Sequence, residues 1–198
     1  NITEEIPGIT PTYSSVGKKS AVILSELKNS RRTSLVKNIK SVDGKIADKY
    51  RLAKNFTKKY NWTHVAYLDD IDLGVLKAID GNISADFCTT KNRDRYNDII
   101  QKCTLIFDSR ERKRLYTQDT NTIIILHDPY GCEAIFKGNK IIQHDSPPPV
   151  RGLNVNGAGD IFCAIFIREF FKSNLKQAMT LACEMTTSIL KQRRNEKI

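Results

Sequence analysis

The residues best suited to chemistry lie together in the stretch Asn156-Gly157-Ala158-Gly159-Asp160. A glycine-rich turn that opens a helix leaves several backbone N–H groups unpaired at the positive end of the helix dipole, which makes an anion-binding site. An aspartate in the first turn of that helix could accept the proton of an attacking hydroxyl while the amides hold a phosphoryl group. The residues alone also allow a simpler interpretation, in which Asp160 only complements the helix dipole.

Two other phosphate-binding motifs do not fit this chain. A dinucleotide-binding turn requires G-x-G-x-x-G, and Phe162 stands at the third glycine position. A P-loop requires G-x-x-x-x-G-K-[ST], but Gly8 and Gly17 are too far apart, and Lys18 is followed by another lysine. Both of these classes of nucleotide-binding protein are therefore excluded.

The segments that must position the glycine-rich stretch alternate between strand-like and helix-like patterns. Strands separated by helical patterns at this spacing predict βαβ units and a mainly parallel sheet covered by helices. The predicted strands are 64–68, 83–88, 104–107 and 122–126, and the predicted helices are 72–79, 93–102 and 110–116, the last of them a short basic helix or turn.

Beyond residue 131 the pattern changes to a hairpin followed by two long helices. Residues 133–136 and 140–144 flank a short glycine-containing turn, which predicts a β-hairpin. One amphipathic helix begins in the glycine-rich stretch, and a final helix is predicted from Leu175 to Lys191. In the first part of the chain, 14–27 and 46–56 are predicted to be helical. Neither a repeat nor a linker is visible, so residues 1–198 are predicted to form one domain.

Composition limits the class of protein. The chain has 198 residues, of which 40% are hydrophobic and 27% charged, which suits one globular domain with a continuous core. The formal net charge of +10 is concentrated at the two ends of the chain, without the interleaved aromatic residues typical of nucleic-acid binding. The longest apolar run, 161–167, is too short to cross a membrane. Five widely spaced cysteines without a C-x-x-C pair indicate buried thiols of a cytoplasmic protein.

The stretch from Asn156 to Phe162 resembles the C-terminal signature of the PfkB, or ribokinase-like, carbohydrate kinases, usually written D-T-x-G-A-G-D-x-F. The upstream order is similar as well. Residues 83–86 resemble the family's central strand, 108–111 its N-x-x-E motif and 122–131 its T-L-G-x-x-G strand and turn. The resemblance implies an α/β fold of three layers, in which a mainly parallel central sheet has helices on both faces.

The resemblance also implies roles for individual residues. Asp160 corresponds to the catalytic base, the amides of Gly157, Ala158 and Gly159 to the anion hole, and Glu111 to the glutamate that organises Mg²⁺ and phosphate through water. The implied nucleotide-binding residues are Asn156, His127, Tyr130, Gly131 and Cys183. Weaker matches near the start of the chain imply that Glu5 and Gly8 bind the acceptor. The implied cofactors are ATP and Mg²⁺.

The chain departs from the family pattern at several of these positions. Asn154-Val155 replaces the usual Asp-Thr, Asp108 replaces the asparagine of N-x-x-E, and the nucleotide turn 126–131 is one residue longer than usual. The region between residues 13 and 61 is shorter than the family needs for its lid and acceptor pocket. We therefore expect a lid that is reduced or not visible, an abbreviated acceptor-binding part over 1–61, and a nucleotide-binding and catalytic part over 62–198.

Together these observations predict an ATP-dependent phosphotransferase that acts on a hydroxyl group of a sugar, polyol or nucleoside. The protein is expected to be cytoplasmic and to have no membrane partner. The resemblance also implies that a homodimer is possible, because the family's lid often mediates dimers. One alternative is a catalytically weak protein that binds a nucleotide or sugar, which the altered turn, Asn154 and the short first part motivate. A basic nucleic-acid-binding domain is a third alternative and is supported only by the charge.

Overall fold

The computed structural model describes the chain most fully after residue 61. For two earlier strands, residues 22–28 and 31–38, the backbone is described. The described residues after these are 62–66, 68, 74, 77, 79, 81–88, 90, 92–116, 120–146 and 153–195.

These residues group into two compact units. The first unit contains the two early strands, the turn Pro129–Gly131 and the described chain from His144 onward. The second unit contains the described residues from Trp62 to Asp128, together with Cys132–Gln143.

The two early strands form an antiparallel sheet in which β1 (Val22–Lys28) pairs with β2 (Arg31–Asn38). The prediction of a helix over 14–27 is therefore wrong for residues 22–27. A short apolar run such as Val22-Ile23-Leu24 suits a strand as well as a helix, and the ladder with β2 pairs its backbone groups. The predicted helix at 46–56 lies outside the described residues.

A six-stranded sheet has the order β3-β4-β5-β6-β7-β8. Its first four strands pair in parallel, so the mainly parallel α/β sheet predicted from the sequence is confirmed. The ends of these strands lie within three residues of the predicted ends. They are β3 (Trp62–Val65), β4 (Asn82–Asp86), β5 (Cys103–Ser109) and β6 (Ile123–Asp128).

The last two strands form the predicted hairpin, β7 (Gly131–Phe136) and β8 (Asn139–Asp145). The two residues between them, Lys137 and Gly138, have φ angles of 52° and 71°. Two successive left-handed residues make the kind of tight turn whose twist matches that of the flanking strands. The hairpin is therefore confirmed, with its turn one residue shorter than predicted.

Short helices connect the parallel strands of the second unit. The predicted helix 93–102 is divided into a 3₁₀ helix (Arg93–Tyr96) and α1 (Asn97–Lys102), which bury Tyr96, Ile99 and Ile100. A second 3₁₀ helix (Arg110–Leu115) follows β5, where a short basic helix or turn was predicted. Most of the predicted helix 72–79 lies outside the described residues.

Two long helices end the first unit, α2 (Ala158–Phe170) and α3 (Leu175–Asn195), and they pack against each other. The buried face of α2 includes Ile161, Phe162, Cys163, Ile165 and Phe166. All five cysteines lie among the described residues as thiols outside any disulfide, and four of them are buried. In the part of the chain that the structure describes, no helix is both long enough and apolar enough to span a membrane.

Candidate active site

The glycine-rich stretch forms a tight turn into α2. Gly157 has a φ angle of 72°, a left-handed conformation that glycine adopts without steric cost. The Ile161 N–H donates to the Gly157 carbonyl at 2.9 Å and so makes the first hydrogen bond of the helix. The sequence places glycine where the chain must change direction, and the helix can begin immediately afterwards.

Asp160 lies in the first turn of α2, and its side chain is half-buried. This is the position that the sequence predicted for the catalytic base. The predicted anion hole has fewer available N–H donors than expected, because the Ala158 N–H already donates to the Val155 carbonyl at 3.1 Å. An amide that already has a hydrogen-bond partner in the turn is a weaker donor to an anion. The predicted anion hole therefore depends mainly on the amides of Gly157 and Gly159.

The loop before α2 is held by two contacts that sequence reasoning missed. The Asn154 side-chain oxygen accepts a hydrogen bond from the Asn156 N–H at 3.1 Å. Arg193, near the end of α3, donates from Nη1 to the Asn156 carbonyl at 2.8 Å. An asparagine side chain often accepts a hydrogen bond from the backbone two residues further on, in an Asx turn, so Asn154 could have revealed the first contact. No local signal reveals the second, because 37 residues separate its partners.

Tyr130 lies in the turn between β6 and β7, and Gly131 is the first residue of β7. Tyr130 is 55% exposed, and its carbonyl accepts a hydrogen bond from the Ser146 N–H at 2.8 Å. Gly131 has a φ angle of 137°, and a Cβ atom there would lie 2.1 Å from the His144 carbonyl oxygen. Packing alone therefore requires glycine at position 131, whatever its role toward a nucleotide.

Cys183 lies on α3, and only 8% of the residue is exposed. Its carbonyl accepts a hydrogen bond from the Thr187 hydroxyl at 2.9 Å. The predicted acceptor-binding residues Glu5 and Gly8 lie outside the described residues. The first unit thus contains eight of the described residues that the resemblance marks, which are Tyr130, Gly131, Asn156, Gly157, Ala158, Gly159, Asp160 and Cys183.

The second unit contains the two remaining predicted site residues, Glu111 and His127. Glu111 is exposed and lies in the 3₁₀ helix that follows β5. This helix is capped by Ser109, whose hydroxyl oxygen accepts a hydrogen bond from the Glu111 N–H at 3.4 Å. The cap fixes the backbone of Glu111 at the carboxyl end of the parallel sheet, where α/β proteins bind ligands.

Asp108, which replaces the family's asparagine, is fully buried. The Tyr116 hydroxyl donates to its Oδ2 at 2.6 Å, and the Ser109 N–H donates to its Oδ1 at 2.7 Å. Arg112 lies 3.6 Å from the same carboxylate. Burial raises the pKa of Asp108, although these donors and the cation lower it in part. The substitution is thus accommodated by a local network, and the partner tyrosine was not apparent from the sequence.

His127 is the next-to-last residue of β6 and is half-buried. Its Nε2 atom lies 3.6 Å from the Cys88 sulfur, and burial lowers the pKa of His127 to about 4. The imidazole is therefore neutral at pH 7. Burial, together with the nearby carboxylates Asp86 and Asp108, raises the pKa of the Cys88 thiol. The His127 imidazole and the Cys88 thiol are therefore both uncharged at pH 7.

The donor set at this end of the sheet suits a magnesium ion that arrives with a nucleotide. Among the described residues, no group of three or more histidines, cysteines and carboxylates could hold a metal ion. Mg²⁺ commonly binds through one or two carboxylates, its own waters and the phosphates of the substrate, so a protein cage is not needed. An exposed carboxylate such as Glu111 fits a contact of this kind through water.

No family model matches the chain, and no curated protein matches it. Solved structures do match. Adenosine kinase of Anopheles gambiae, in complex with a diadenosine tetraphosphate, has a TM-score of 0.64 at 13% identity over 85% of this chain. Arabidopsis thaliana ribokinase, in complex with ribose and ATP, has a TM-score of 0.59 at 14% identity over 86%. A candidate ribokinase II of E. coli, in complex with ATP and Mg²⁺, has a TM-score of 0.58 at 14% identity over 83%.

The chain therefore has the ribokinase-like fold, as its sequence predicted. It covers 63% of the length of each of these three structures.

Proposed function

We propose that the protein is a phosphotransferase that moves the γ-phosphoryl group of ATP to a hydroxyl group of a sugar, polyol or nucleoside. The observation that carries the proposal is the left-handed turn at Gly157 that leads directly into α2, with Asp160 in the first turn of that helix. This arrangement combines an anion-binding helix start with a carboxylate, and it occurs on a ribokinase-like fold.

In the proposed mechanism the Asp160 carboxylate accepts the proton of the acceptor hydroxyl. The hydroxyl oxygen then forms a bond to the γ-phosphorus as the bond between that phosphorus and the β–γ bridging oxygen breaks, and ADP leaves. The Gly157 and Gly159 amides and the positive end of the α2 dipole stabilise the charge on the transferring group. The Asn154 and Arg193 contacts orient the loop that carries these amides.

ATP and Mg²⁺ are the proposed cofactors, with Glu111 as the residue that organises the metal through water. A bound magnesium ion would reduce the repulsion between the phosphates and the approaching acceptor oxygen. Tyr130, with its exposed ring, is the proposed contact for a nucleotide base, and neutral His127 is a second candidate for that contact. Ribose and adenosine, named with two of the similar structures, place sugars and nucleosides first among acceptors to test.

A screen for ADP release tests the proposal. The full chain would be incubated with ATP and Mg²⁺ against a panel of sugars, polyols and nucleosides, and at least one acceptor should raise ADP release above the level with water alone. If no acceptor does so, the proposed activity is wrong for this chain.

The second candidate function is nucleotide or sugar binding without efficient transfer. Asn154 and the buried Asp108 replace residues of the kinases that the sequence resembles, and these two departures favour this alternative. It predicts that ATP raises the melting temperature while no acceptor in the panel releases ADP. The kinase proposal predicts both effects together.

A further inference from the structure

Arg110, the first residue of the 3₁₀ helix after β5, has two buried hydrogen-bond donors without a partner. Its Nε and Nη2 atoms are both shielded from solvent, and neither meets an acceptor in the part of the chain that the structure describes. A donor that has lost water without gaining an acceptor destabilises a fold, so almost all buried donors in proteins are paired. The pair of unsatisfied donors therefore points to an acceptor that is not part of the chain.

The two donors lie on the same edge of the guanidinium plane. Nε–H and one N–H of Nη2 point in the same direction, and this fork can bind two oxygens of one carboxylate or phosphate. The other nitrogen, Nη1, faces the Asp128 carboxylate at 3.6 Å, which is too long for a hydrogen bond. Asp128 thus neutralises part of the charge of Arg110 but leaves the fork unused.

Neighbouring arginines in the same unit have structural contacts that Arg110 lacks. Arg112 donates to the Phe87 carbonyl at 2.6 Å and lies 3.6 Å from the buried Asp108. Arg93 donates to the Leu115 carbonyl at 2.6 Å, and its guanidinium lies over the ring of Tyr116. Both side chains form hydrogen bonds within the second unit, whereas the Nε–Nη2 fork of Arg110 forms none among the described residues.

The position of Arg110 identifies the kind of acceptor that it fits. Ser109 at the end of β5 pairs with His127 in β6, so Arg110 follows directly at the carboxyl edge of two adjacent parallel strands. Ligands of α/β sheets bind outside this edge. Glu111, the proposed magnesium-organising residue, is next in the chain. A polyphosphate suits the Arg110 guanidinium better than a carboxylate does, because a polyphosphate carries more negative charge.

We propose that Arg110 binds the phosphate donor, with its Nε–Nη2 fork on two oxygens of the polyphosphate chain. The inference rests on the proposed function, because it assigns this fork to the phosphates of ATP. It concerns recognition of the donor and makes Arg110 a binding residue, with no part in the proton transfer at Asp160.

Calorimetric titrations of the full chain, without acceptor and with Mg²⁺ present, test the assignment. Arg110→Met should weaken the binding of ATP and of inorganic pyrophosphate by about 10- to 100-fold, the range expected for charged hydrogen bonds to phosphate. Arg110→Lys should also lose affinity, because it keeps the charge but not the fork. Arg114→Met, which removes an exposed charge from the same helix, is the matched control and should change affinity far less.

Thermal unfolding of the ligand-free variants separates binding from a structural role. Arg110→Met should keep or raise the melting temperature, because it removes two unpaired buried donors. A structural arginine would give the opposite result, a clear loss of stability. The inference is overturned if Arg110→Met binds ATP as wild type does, if only ATP and not pyrophosphate loses affinity, or if lysine restores full affinity.

Screening the wild-type chain for ADP release alongside the titrations distinguishes this inference from the proposed function. Donor binding that depends on Arg110 but yields no ADP with any acceptor would sustain the inference and refute the kinase proposal. If the wild-type chain releases ADP and Arg110→Met binds ATP with unchanged affinity, the kinase proposal is sustained and the inference about Arg110 is refuted.

Discussion

At the scale of single residues, the buried carboxylate of Asp108, three residues before Glu111, is stabilised by hydrogen bonds and a nearby cation. Asp108 stands where the kinases that the sequence resembles have asparagine, and it is fully enclosed. Tyr116 and the Ser109 amide supply one hydrogen bond to each carboxylate oxygen, and Arg112 supplies a nearby positive charge. Because a buried carboxylate depends on such partners, we expect this network to contribute measurably to the stability of the second unit.

Tyr116→Phe tests the network at one bond. The ring would still lie under Arg93, so the substitution removes only the hydroxyl donor to Asp108. The free energy of unfolding in urea should fall by about 1.5–3 kcal/mol, the usual contribution of a hydrogen bond to a charged group. Tyr130→Phe, at an exposed position, is the control and should change it by less than about 0.5 kcal/mol. Equal stability of wild type and Tyr116→Phe would show that the bond does not support the fold.

His127 should make stability depend on pH. Its pKa of about 4 in the folded protein lies below the ordinary value of 6.5, so the unfolded chain takes up a proton first as the pH falls. This contribution to stability is present above pH 6.5 and is lost as the pH falls toward 4. His127→Gln removes the titrating group. The stability difference between wild type and His127→Gln should therefore shift against wild type between pH 6.5 and 4, as followed by thermal unfolding. A difference that stays constant with pH would contradict the burial of this imidazole.

At the scale of elements, most of the architecture after residue 61 could be predicted from the sequence. Continuous apolar runs such as 104–107 and the Lys137-Gly138 turn are local signals, and the corresponding strands and hairpin are confirmed. The error at 22–27 arose because a short apolar run does not distinguish a helix from a strand without its pairing partner. Contacts such as Arg193 to Asn156 join residues far apart in the chain, and no local pattern encodes them.

The turn between β6 and β7 gives a prediction at this scale. Gly131→Ala places a Cβ in a backbone conformation that side chains avoid and against the His144 carbonyl oxygen. Strain and overpacking together should lower the free energy of unfolding by about 2–5 kcal/mol. Gly138→Ala is the control, because a φ of 71° lies in the left-handed region that costs an alanine only about 1–2 kcal/mol. If the two variants lose equal stability, the close approach at Gly131 is not the reason for its glycine.

At the scale of the whole molecule, the fold and the local site support the proposal by separate routes. The fold is established by structures that share 13–14% of their residues with this chain, so it does not define an acceptor. The sequence predicted the helix start at Gly157 and the place of Asp160 within it, because glycine and aspartate there have local roles. It did not reveal that Ala158 uses its amide within the turn or that Arg110 has an unused fork, since both depend on three-dimensional surroundings.

Asp160→Asn tests most directly whether Asp160 removes the proton from the acceptor hydroxyl, as we propose. The variant keeps the shape of the side chain and the start of α2 but removes the base. Asp94→Asn, an exposed substitution outside the site, is the matched control. The measurement is the rate of ADP release with the best acceptor from the screen, with ATP affinity measured on the same samples.

We predict that Asp160→Asn lowers kcat by about 100- to 10,000-fold, as expected for loss of a general base, while ATP affinity and melting temperature stay close to those of wild type. Asp94→Asn should retain full activity. An Asp160→Asn variant that turns over as fast as wild type would contradict the account.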